Sequence, residues 1–315
     1  MSIFNPSWGN PSLTENFAFV MNISSLEKEE FTIAPGHVLR RAKPEEIETI
    51  RSVMSAIVGR PLGSSKVYWE TEAPPPGVGG TYKELSPEKF RYFVITFQDI
   101  AEVSKIQQAA DISIREAELG PKVTNSGQSV NHNPGRLFNF LRSEPILGQF
   151  CTPFLESDAA ELSSIYSQLK NYDKALVVEG IASEIAQLKQ IDRKSHLVAL
   201  GYFAILEALL AHKPNQTDPY ESITRQIKKK VALLDNRWSP RIDYGPFRGV
   251  KPEKLWGAMY SYRSDLAHGT KPNFKGDLKL LRDADQALSL VKETVKSIAR
   301  FALVDPRLLE DLKNC

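Results

Sequence analysis

The sequence predicts an α+β protein, in which a mixed α/β N-terminal domain over residues 1–150 precedes an all-α helical bundle over residues 151–315. The first part contains short apolar segments separated by Pro, Gly and Ser, a pattern typical of strands and turns. The second part contains one segment of helical period after another, with few candidate strands. Residues 143–158, which mix Pro, Gly and Ser, mark the predicted boundary.

The composition is that of an ordinary globular protein and excludes several classes. Of the 315 residues, 42% are hydrophobic and 25% are charged, which predicts a packed core. No run approaches the ~18 apolar residues of a membrane span, so we expect a cytoplasmic protein without a membrane partner. A net charge of +2 means that affinity for nucleic acid must come from a local patch. Cys151 and Cys315 are the only cysteines, so neither a disulfide framework nor a cysteine-based zinc site is indicated. The histidines are not clustered either, and we expect no metal and no cofactor.

Strands, two helices and polar loops are predicted in the N-terminal domain. Residues 1–42 are expected to form strands and turns, and a helix is expected from Lys43 to Gly59 because Pro44 and two glutamates suit a first helical turn. The other predicted elements follow in chain order: strand Lys66–Glu70, a Pro- and Gly-rich loop Thr71–Thr81, strand Arg91–Gln98, helix Ile100–Ile114 and the polar stretch Pro121–Arg136. None of these loops has the pattern of a phosphate-binding loop.

Six segments of helical period predict the bundle: Ala159–Leu169, Lys174–Ile191, Ser195–Ala211, Ser222–Leu234, Lys251–Ala267 and Gly276–Val304. The segment Ser195–Ala211 is apolar on nearly all sides, which predicts the central and most buried helix. Glu207 is the exception in this segment. A carboxylate in such surroundings needs a partner or a raised pKa, and both conditions occur at active sites as well as in structural ion pairs.

The fifth of these segments is expected to carry the functional site at its C-terminal end. Its apolar residues recur every three or four positions, as in a helix packed on one side: Leu255, Met259, Tyr262 and Leu266. Gly269 is expected to end the helix in the left-handed conformation, which puts His268 at the C-terminal cap. The last carbonyls of a helix carry partial negative charge, which favours an imidazolium and suits His268 to proton transfer near neutral pH.

Arg263, Ser264 and His268 crowd this helix end. Ser264 and His268 are four residues apart and share a face, whereas Arg263 and His268 diverge by roughly 140° on an ideal helix. The arginine and the histidine therefore meet only if the helix end unwinds or a partner contributes. On the residues alone, a structural arginine beside a helix-capping histidine is an equally good interpretation.

The spacing Tyr-x-x-Arg-Ser-x-x-x-His, which contains Arg263, Ser264 and His268, resembles the Arg-x(4–6)-His motif of HEPN domains. Leu206 and Glu207 within the string FAILEALL are similar to the Apea-like HEPN subgroup, and the resemblance covers about residues 173–303. It implies an HEPN-type helical bundle, metal-independent ribonuclease activity in a defence, stress or toxin system, and a homodimer in which two motifs meet. The family also contains non-catalytic binding and dimerisation modules, which leaves that alternative open.

In the ribonuclease interpretation, an RNA 2′-hydroxyl attacks the adjacent phosphorus while His268 moves a proton and Arg263 stabilises the charge that develops on the phosphoryl oxygens. Ser264 is expected to orient His268 or a phosphate oxygen, and Glu207 and Tyr262 are candidate supporting residues. The rival interpretations are a module that dimerises or binds a nucleotide or partner protein, and a regulator that binds nucleic acid without cleaving it.

Residues 222–250 are the candidate RNA-binding track. They contain seven basic residues against two aspartates: Arg225, Lys228, Lys229, Lys230, Arg237, Arg241 and Arg248. Basic residues interleaved with Trp238, Tyr244 and Phe247 can hold a phosphate backbone while the rings stack on unpaired bases. The alternative is a solvated helix face followed by a loop whose aromatic residues belong to the core.

We expect residues 1–150 to sense a trigger or to restrain the helical half, with an activating or inhibiting partner bound through their polar loops. An intracellular ribonuclease that cleaved RNA continuously would damage its host. Cleavage by a dimeric fragment beginning near Ser157, compared with the full chain, tests this hypothesis. Higher basal cleavage is expected if residues 1–150 restrain the helical half, and lower cleavage would mean that they position the RNA.

Overall fold

The computed structural model describes residues 13–58, 69–71, 82–84, 92–126, 129–130, 152–171, 176–192, 194–213, 222–237, 241–247 and 249–314. It has the predicted α+β class, with a sheet in the N-terminal part and helices after it. The chain divides into two compact units, Met1–Ser167 and Gln168–Cys315. The division falls within a helix, and the boundary predicted at residue 150 lies before that helix.

A six-stranded antiparallel sheet forms the centre of the first unit, with the strand order β3-β4-β7-β1-β8-β9. Its strands are β1 (Asn16–Val20), β3 (Glu30–Ala34), β4 (His37–Arg41), β7 (Phe93–Phe97), β8 (Leu119–Val123) and β9 (Ser129–Val130). Two small sheets accompany it, one pairing β2 (Ile23–Leu26) with β10 (Thr152–Phe154) and the other pairing β5 (Trp69–Thr71) with β6 (Tyr82–Glu84). The strands expected in residues 1–42 and 91–98 are confirmed.

Both helices predicted in the first unit are present, α1 (Pro44–Val58) and α2 (Ile100–Ile112). Glu46 fixes the start of α1, because its carboxylate accepts the backbone N–H of Lys43 and two N–H groups of Arg40. A buried apolar cluster joins α1 to the sheet and includes Phe17, Phe19, Ile50, Met54 and Tyr92.

Three strands lie where the sequence predicted loops or a linker. The polar stretch Pro121–Arg136 begins within β8 and contains β9, and the boundary segment 143–158 contains β10. Proline has no backbone N–H to donate to a neighbouring strand. Pro121 is tolerated because the pairing of β1 with β8 shifts register between Ala18 and Val20, so no regular hydrogen bond from residue 121 to β1 is required. The strand β6 follows the predicted loop Thr71–Thr81 and was also not predicted. Residues 72–81, 127–128 and 131–136 of the two loops lie outside the described residues.

Helices follow one another from residue 156 to residue 314. They are α3 (Glu156–Asn171), α4 (Leu176–Leu188), α5 (His196–Leu210), α6 (Ile223–Asp235), α7 (Pro252–Ala267), α8 (Ala284–Val304) and α9 (Pro306–Asn314). In the second unit α5 contacts α4, α6, α7, α8 and α9, which confirms it as the central helix. The hydroxyls of Ser195 and Ser222 cap α5 and α6 by accepting backbone N–H groups, at the predicted helix starts.

Two helix boundaries near the C-terminus differ from the prediction. The segment predicted as helix from Gly276 first forms turns, and α8 begins only after Asp283, whose carboxylate accepts the Gln286 N–H. Arg282 immediately before this cap has a φ of 65°, a conformation incompatible with a continuous helix. The short helix α9 was not predicted. In the described part of the chain, no helix is both long and apolar enough to cross a membrane.

Candidate functional site

The C-terminal end of α7 is closed by a Schellman motif. His268 is the cap residue and Gly269 follows with a φ of 69°, a conformation that glycine adopts without strain. The Gly269 N–H donates to the Leu266 carbonyl over 3.3 Å, and the Thr270 N–H donates to the Asp265 carbonyl over 2.8 Å. The predicted helix end, with His268 at the cap and Gly269 left-handed, is confirmed.

The burial pattern of α7 separates its core face from its polar face. The four residues of the predicted apolar stripe are all buried: Leu255, Met259, Tyr262 and Leu266. Ser264 and His268 are exposed, and Arg263 lies at the border of the two faces with its side chain 37% exposed. The helix therefore presents the three predicted catalytic side chains near or at the surface.

Two successive contacts join α7 to the central helix α5. The rings of Phe203 and Tyr260 meet edge to face, with their centroids 5.8 Å apart. About one turn further along both helices, Arg263 Nε donates to Glu207 Oε1 over 3.2 Å and Arg263 Nη2 donates to Glu207 Oε2 over 3.3 Å. The partner that the sequence required for Glu207 is therefore Arg263, the same residue that the sequence singled out for catalysis.

The pairing with Glu207 uses only one edge of the guanidinium. An arginine side chain carries five N–H donors, and the bonds to Glu207 use Nε and one hydrogen of Nη2. Arg263 Nη1 donates to no other described residue. Its two hydrogens and the second hydrogen of Nη2 form the edge that binds a planar or tetrahedral oxyanion through two parallel hydrogen bonds. Glu207 holds the guanidinium while the remaining donors stay available.

Tyr260 belongs to this site, although the sequence did not single it out. Its hydroxyl oxygen is buried and lies beside the Glu207 carboxylate. Burial raises the pKa of Tyr260, and the neighbouring Glu207 carboxylate raises it further against the opposing charge of Arg263. The phenol is therefore protonated at neutral pH. The sequence offered one indication of this: Tyr260 is three residues before Arg263, so the two side chains lie on the same face of the helix.

Tyr262, the predicted supporting residue, faces the opposite side of α7. Its ring is buried against Phe274, with centroids 5.5 Å apart. Burial raises the pKa of Tyr262, with a smaller contribution from Asp285. Tyr262 is thus placed among core residues, and Tyr260 takes the position beside Glu207.

Ser264 and His268 share the exposed face of α7, as their spacing predicted. The two residues are linked through the backbone, where the His268 N–H donates to the Ser264 carbonyl over 3.0 Å. Among the described residues, neither side chain hydrogen-bonds Arg263. The helix end does not unwind to bring Arg263 and His268 together, which matches the divergence expected of an ideal helix.

Most of the predicted RNA-binding residues lie at the surface around α6. Arg225, Lys229, Arg237 and Arg241 are exposed. Lys228 is half-buried because its side chain lies across α7, where a Cβ added at Gly257 would come within 3.0 Å of Lys228 Nζ. Gly257 is seven and eleven residues before Ser264 and His268, so all three share one face of α7. Lys228 therefore brings a positive charge to the helix face that ends at His268.

Lys230 does not share this exposed surface. It is 7% exposed, its ammonium donates to the Leu210 carbonyl over 2.9 Å, and it lies 3.5 Å from His212 Nδ1. Leu210 is the last residue of α5, whose free carbonyls favour a cation. The structure thus gives Lys230 a structural role at the end of the central helix.

The aromatic residues of the predicted track are also partly structural. Phe247 is buried, and the Tyr244 hydroxyl accepts the indole N–H of Trp256 over 3.4 Å. Burial raises the pKa of Tyr244 to about 12, so this hydroxyl stays protonated. Trp238 and Arg248 lie outside the described residues. Unpaired bases therefore find no stacking platform on Phe247.

The part of the chain that the structure describes contains no group of three or more His, Cys, Asp or Glu residues arranged to hold a metal ion. Comparison of the sequence and the structure with protein-family models, curated proteins and solved structures finds no match.

Replacing Lys230 with Met is expected to lower the free energy of unfolding by about 1–3 kcal/mol, because the buried Leu210 carbonyl loses its donor. Lys229→Met is the matched control one residue earlier. It removes the same charge from an exposed position and should change the free energy of unfolding by less than about 0.5 kcal/mol. Chemical denaturation followed by circular dichroism measures both values. Equal effects of the two substitutions would contradict the buried position of Lys230.

Proposed function

We propose that the protein is a metal-independent endoribonuclease of HEPN type, which cleaves RNA in a defence, stress or toxin system. The observation that carries this proposal is the geometry of Arg263. Glu207 holds the Nε edge of its guanidinium, and the Nη1 edge remains available at a partly exposed position. This arrangement suits a phosphate in the transition state, because two parallel N–H groups match two phosphoryl oxygens.

The reaction proceeds by transfer of the phosphodiester to the RNA's own 2′-hydroxyl. The O2′–P bond forms, the P–O5′ bond breaks, and the products are a 2′,3′-cyclic phosphate and a 5′-hydroxyl. A proton leaves O2′ and another reaches O5′, and His268 moves one of them. Its exposed imidazole at the C-terminal cap of α7 is accessible to RNA.

Two copies of the chain form the active unit in this proposal. Arg263 and His268 diverge on α7, so one helix end alone does not bring both groups to one phosphate. A symmetric dimer places a second helix end opposite the first, which lets Arg263 of one copy act with His268 of the other. Ser264 lies between Arg263 and His268 in the sequence and is exposed. In this proposal it orients His268 or a phosphate oxygen.

The basic surface around α6 supplies electrostatic attraction for the RNA backbone. Lys228 is the member of this surface that reaches α7, and Lys229, Arg225, Arg237 and Arg241 extend the positive charge away from it. Such contacts hold phosphates without regard to base sequence and weaken as salt concentration rises. Lys230 has no part in this surface because its ammonium is buried at the end of α5.

A non-catalytic HEPN module that dimerises or binds a nucleotide or a partner protein is the second candidate. One observation favours it: the charge of Arg263 is balanced by Glu207, as in a structural ion pair between two packed helices. In that case the Arg263 and His268 side chains serve the interface between copies, and no RNA is cleaved.

RNA cleavage by the full-length protein is expected to persist in EDTA and to leave cyclic-phosphate or 3′-phosphate ends. Arg263→Ala and His268→Ala should each lower turnover at least ~100-fold, because each removes a charge-stabilising or acid–base group. Labelled single-stranded RNA, separated on a denaturing gel, measures both rate and end chemistry. Fragments with 3′-hydroxyl ends would disprove the mechanism.

The matched control for His268→Ala is His196→Ala, which removes an exposed histidine from the first residue of α5. It is expected to cleave RNA at the wild-type rate. Thermal unfolding of all three variants shows whether the fold is retained. If folded Arg263→Ala and His268→Ala proteins cleave RNA at near-normal rates, the two residues have only a structural role and the non-catalytic module is favoured.

Mixing Arg263→Ala and His268→Ala proteins tests the dimer. Each homodimer lacks one group in every site, whereas a mixed dimer can combine intact Arg263 from one copy with intact His268 from the other. Random subunit exchange should restore about one quarter of wild-type activity, since about half of the dimers are mixed and each has one intact combination. Light scattering verifies the dimer. Absence of any recovery after verified exchange would contradict a site shared between copies.

A further inference from the structure

We propose that the segment Thr270–Asp283, the α7–α8 loop, binds the phosphate backbone of RNA next to His268. This inference rests on the proposed ribonuclease function and gives its substrate a second contact surface, separate from the one around α6. The loop carries four exposed basic residues, none of which belongs to the candidate RNA-binding track: Lys271, Lys275, Lys279 and Arg282.

The basic side chains of the loop are available to a ligand. Among the described residues, none of the four forms an ion pair or a side-chain hydrogen bond. Asp277 and Asp283 lower the formal charge of the loop from +4 to +2. The Asp283 carboxylate is engaged at the start of α8, where it accepts the Gln286 N–H. Exposed cations without partners attract a polyanion, and this attraction weakens as salt is added.

Turns and two buried leucines fix the course of the loop. The Asn273 side-chain oxygen accepts the backbone N–H of Lys275 over 3.2 Å. Leu278 and Leu281 are buried, and the 3₁₀ turn Lys279–Leu281 contacts α7. The basic side chains are therefore carried on an ordered backbone, which reduces the conformational entropy that binding costs.

The loop begins at the helix end that carries His268. Lys271 is three residues after His268, so their Cα atoms are at most about 11 Å apart. The chain then turns back along α7, because the Phe274 ring contacts the Tyr262 ring at 5.5 Å. The far end of the loop also returns to Tyr262, whose pKa is raised by burial and further by the Asp285 carboxylate at the start of α8. The loop therefore stays beside the last turns of α7.

Positive charge lies at both ends of the α7 face that carries His268. Lys228 approaches this face at Gly257, roughly 16 Å before His268 along the helix axis, and the loop follows His268. A single strand that lies along this face meets basic side chains before and after the phosphate at His268. Contacts on both sides of a reacting group fix its position, which is how binding away from the reacting atoms contributes to catalysis.

Arg282 has a backbone conformation that few residues other than glycine adopt. Its φ is 65° and its ψ is −63°, and the Asp283 N–H donates to the Leu281 carbonyl over 2.8 Å. These are the features of a γ-turn with positive φ, which is rare and strained. Strained residues cluster at ligand-binding sites, where a function outweighs their cost in stability. Binding of phosphate by its guanidinium accounts for an arginine at a position where glycine fits without strain.

The test measures the affinity of the full-length protein for a fluorescently labelled 2′-O-methyl RNA oligonucleotide at several salt concentrations. This probe lacks the 2′-hydroxyl nucleophile, so binding is measured without cleavage. Replacing Lys271, Lys275 and Lys279 together with Gln is expected to weaken binding roughly 100-fold at ~0.1 M salt. The slope of log affinity against log salt should fall in magnitude by about 2, since each phosphate contact with a single strand contributes about 0.7. For cleavage of unmodified RNA, KM should rise while kcat stays unchanged.

The matched control replaces three exposed lysines at the start of α7 and on α9 with Gln: Lys251, Lys254 and Lys313. It has the same net charge as the loop variant and should leave the slope unchanged. An equal change of slope in both variants would mean that only total charge matters, which would overturn the inference. Loss of the dimer in the loop variant, measured by light scattering, would assign the loop to a contact between copies and would also overturn it.

Arg282 is tested by two substitutions that remove the same charge. Arg282→Gln and Arg282→Gly should each weaken binding of the probe about fivefold at ~0.1 M salt, the effect of one phosphate contact. Only Arg282→Gly should also raise the unfolding temperature, because glycine adopts the positive φ without strain. Unchanged affinity in both variants would exclude Arg282 from the proposed surface.

The binding and cleavage measurements separate this inference from the proposed function. If the wild type cleaves RNA and the loop variant binds the probe with an unchanged slope, this inference alone is removed. If the wild type cleaves no RNA but loses affinity for the probe when the loop lysines are replaced, the RNA-binding loop is supported and the proposed ribonuclease is removed.

Discussion

The ion pair between Glu207 and Arg263 is the interaction on which the arrangement of the helical unit depends. The central helix α5 is surrounded by other helices and carries one carboxylate in an otherwise apolar sequence. That carboxylate needs a donor, and Arg263 supplies it from α7. The pair joins α5 to α7 about one turn beyond the contact between Phe203 and Tyr260, and the end of α7 that follows carries the exposed His268.

The same pair is compatible with both a structural role for Arg263 and the catalytic role that we propose for it. A guanidinium has two usable edges, and the contact with Glu207 occupies the edge that includes Nε. A residue that holds two helices together is therefore able to present a preorganised donor pair to an anion. Preorganised donors act strongly because they need no reorganisation when charge develops. The packing of α5 against α7 and the proposed chemistry both require the guanidinium of Arg263 to be held by Glu207.

Features set by neighbouring residues were predictable from the sequence, and features set by distant residues were not. Ser195, Ser222 and Gly269 define helix ends through bonds to residues close in the chain, and their predictions are confirmed. Pro121 obscured β8, because the irregular pairing that accommodates it lies on β1, about a hundred residues earlier. Lys230 resembles Lys229 in sequence, yet the Leu210 carbonyl on another helix accounts for its burial. Tyr260 and Tyr262 are likewise alike in sequence, but only Tyr260 lies on the face of α7 that packs against α5.

The absence of a side chain at Gly257 helps to determine the electrostatic surface of the protein. The Lys228 ammonium lies 3.0 Å from the point where a Cβ at position 257 would stand, so a side chain there would press on the end of the lysine. The close approach of a positive charge to this face of α7 therefore depends on the small residue at position 257 as well as on the lysine at position 228.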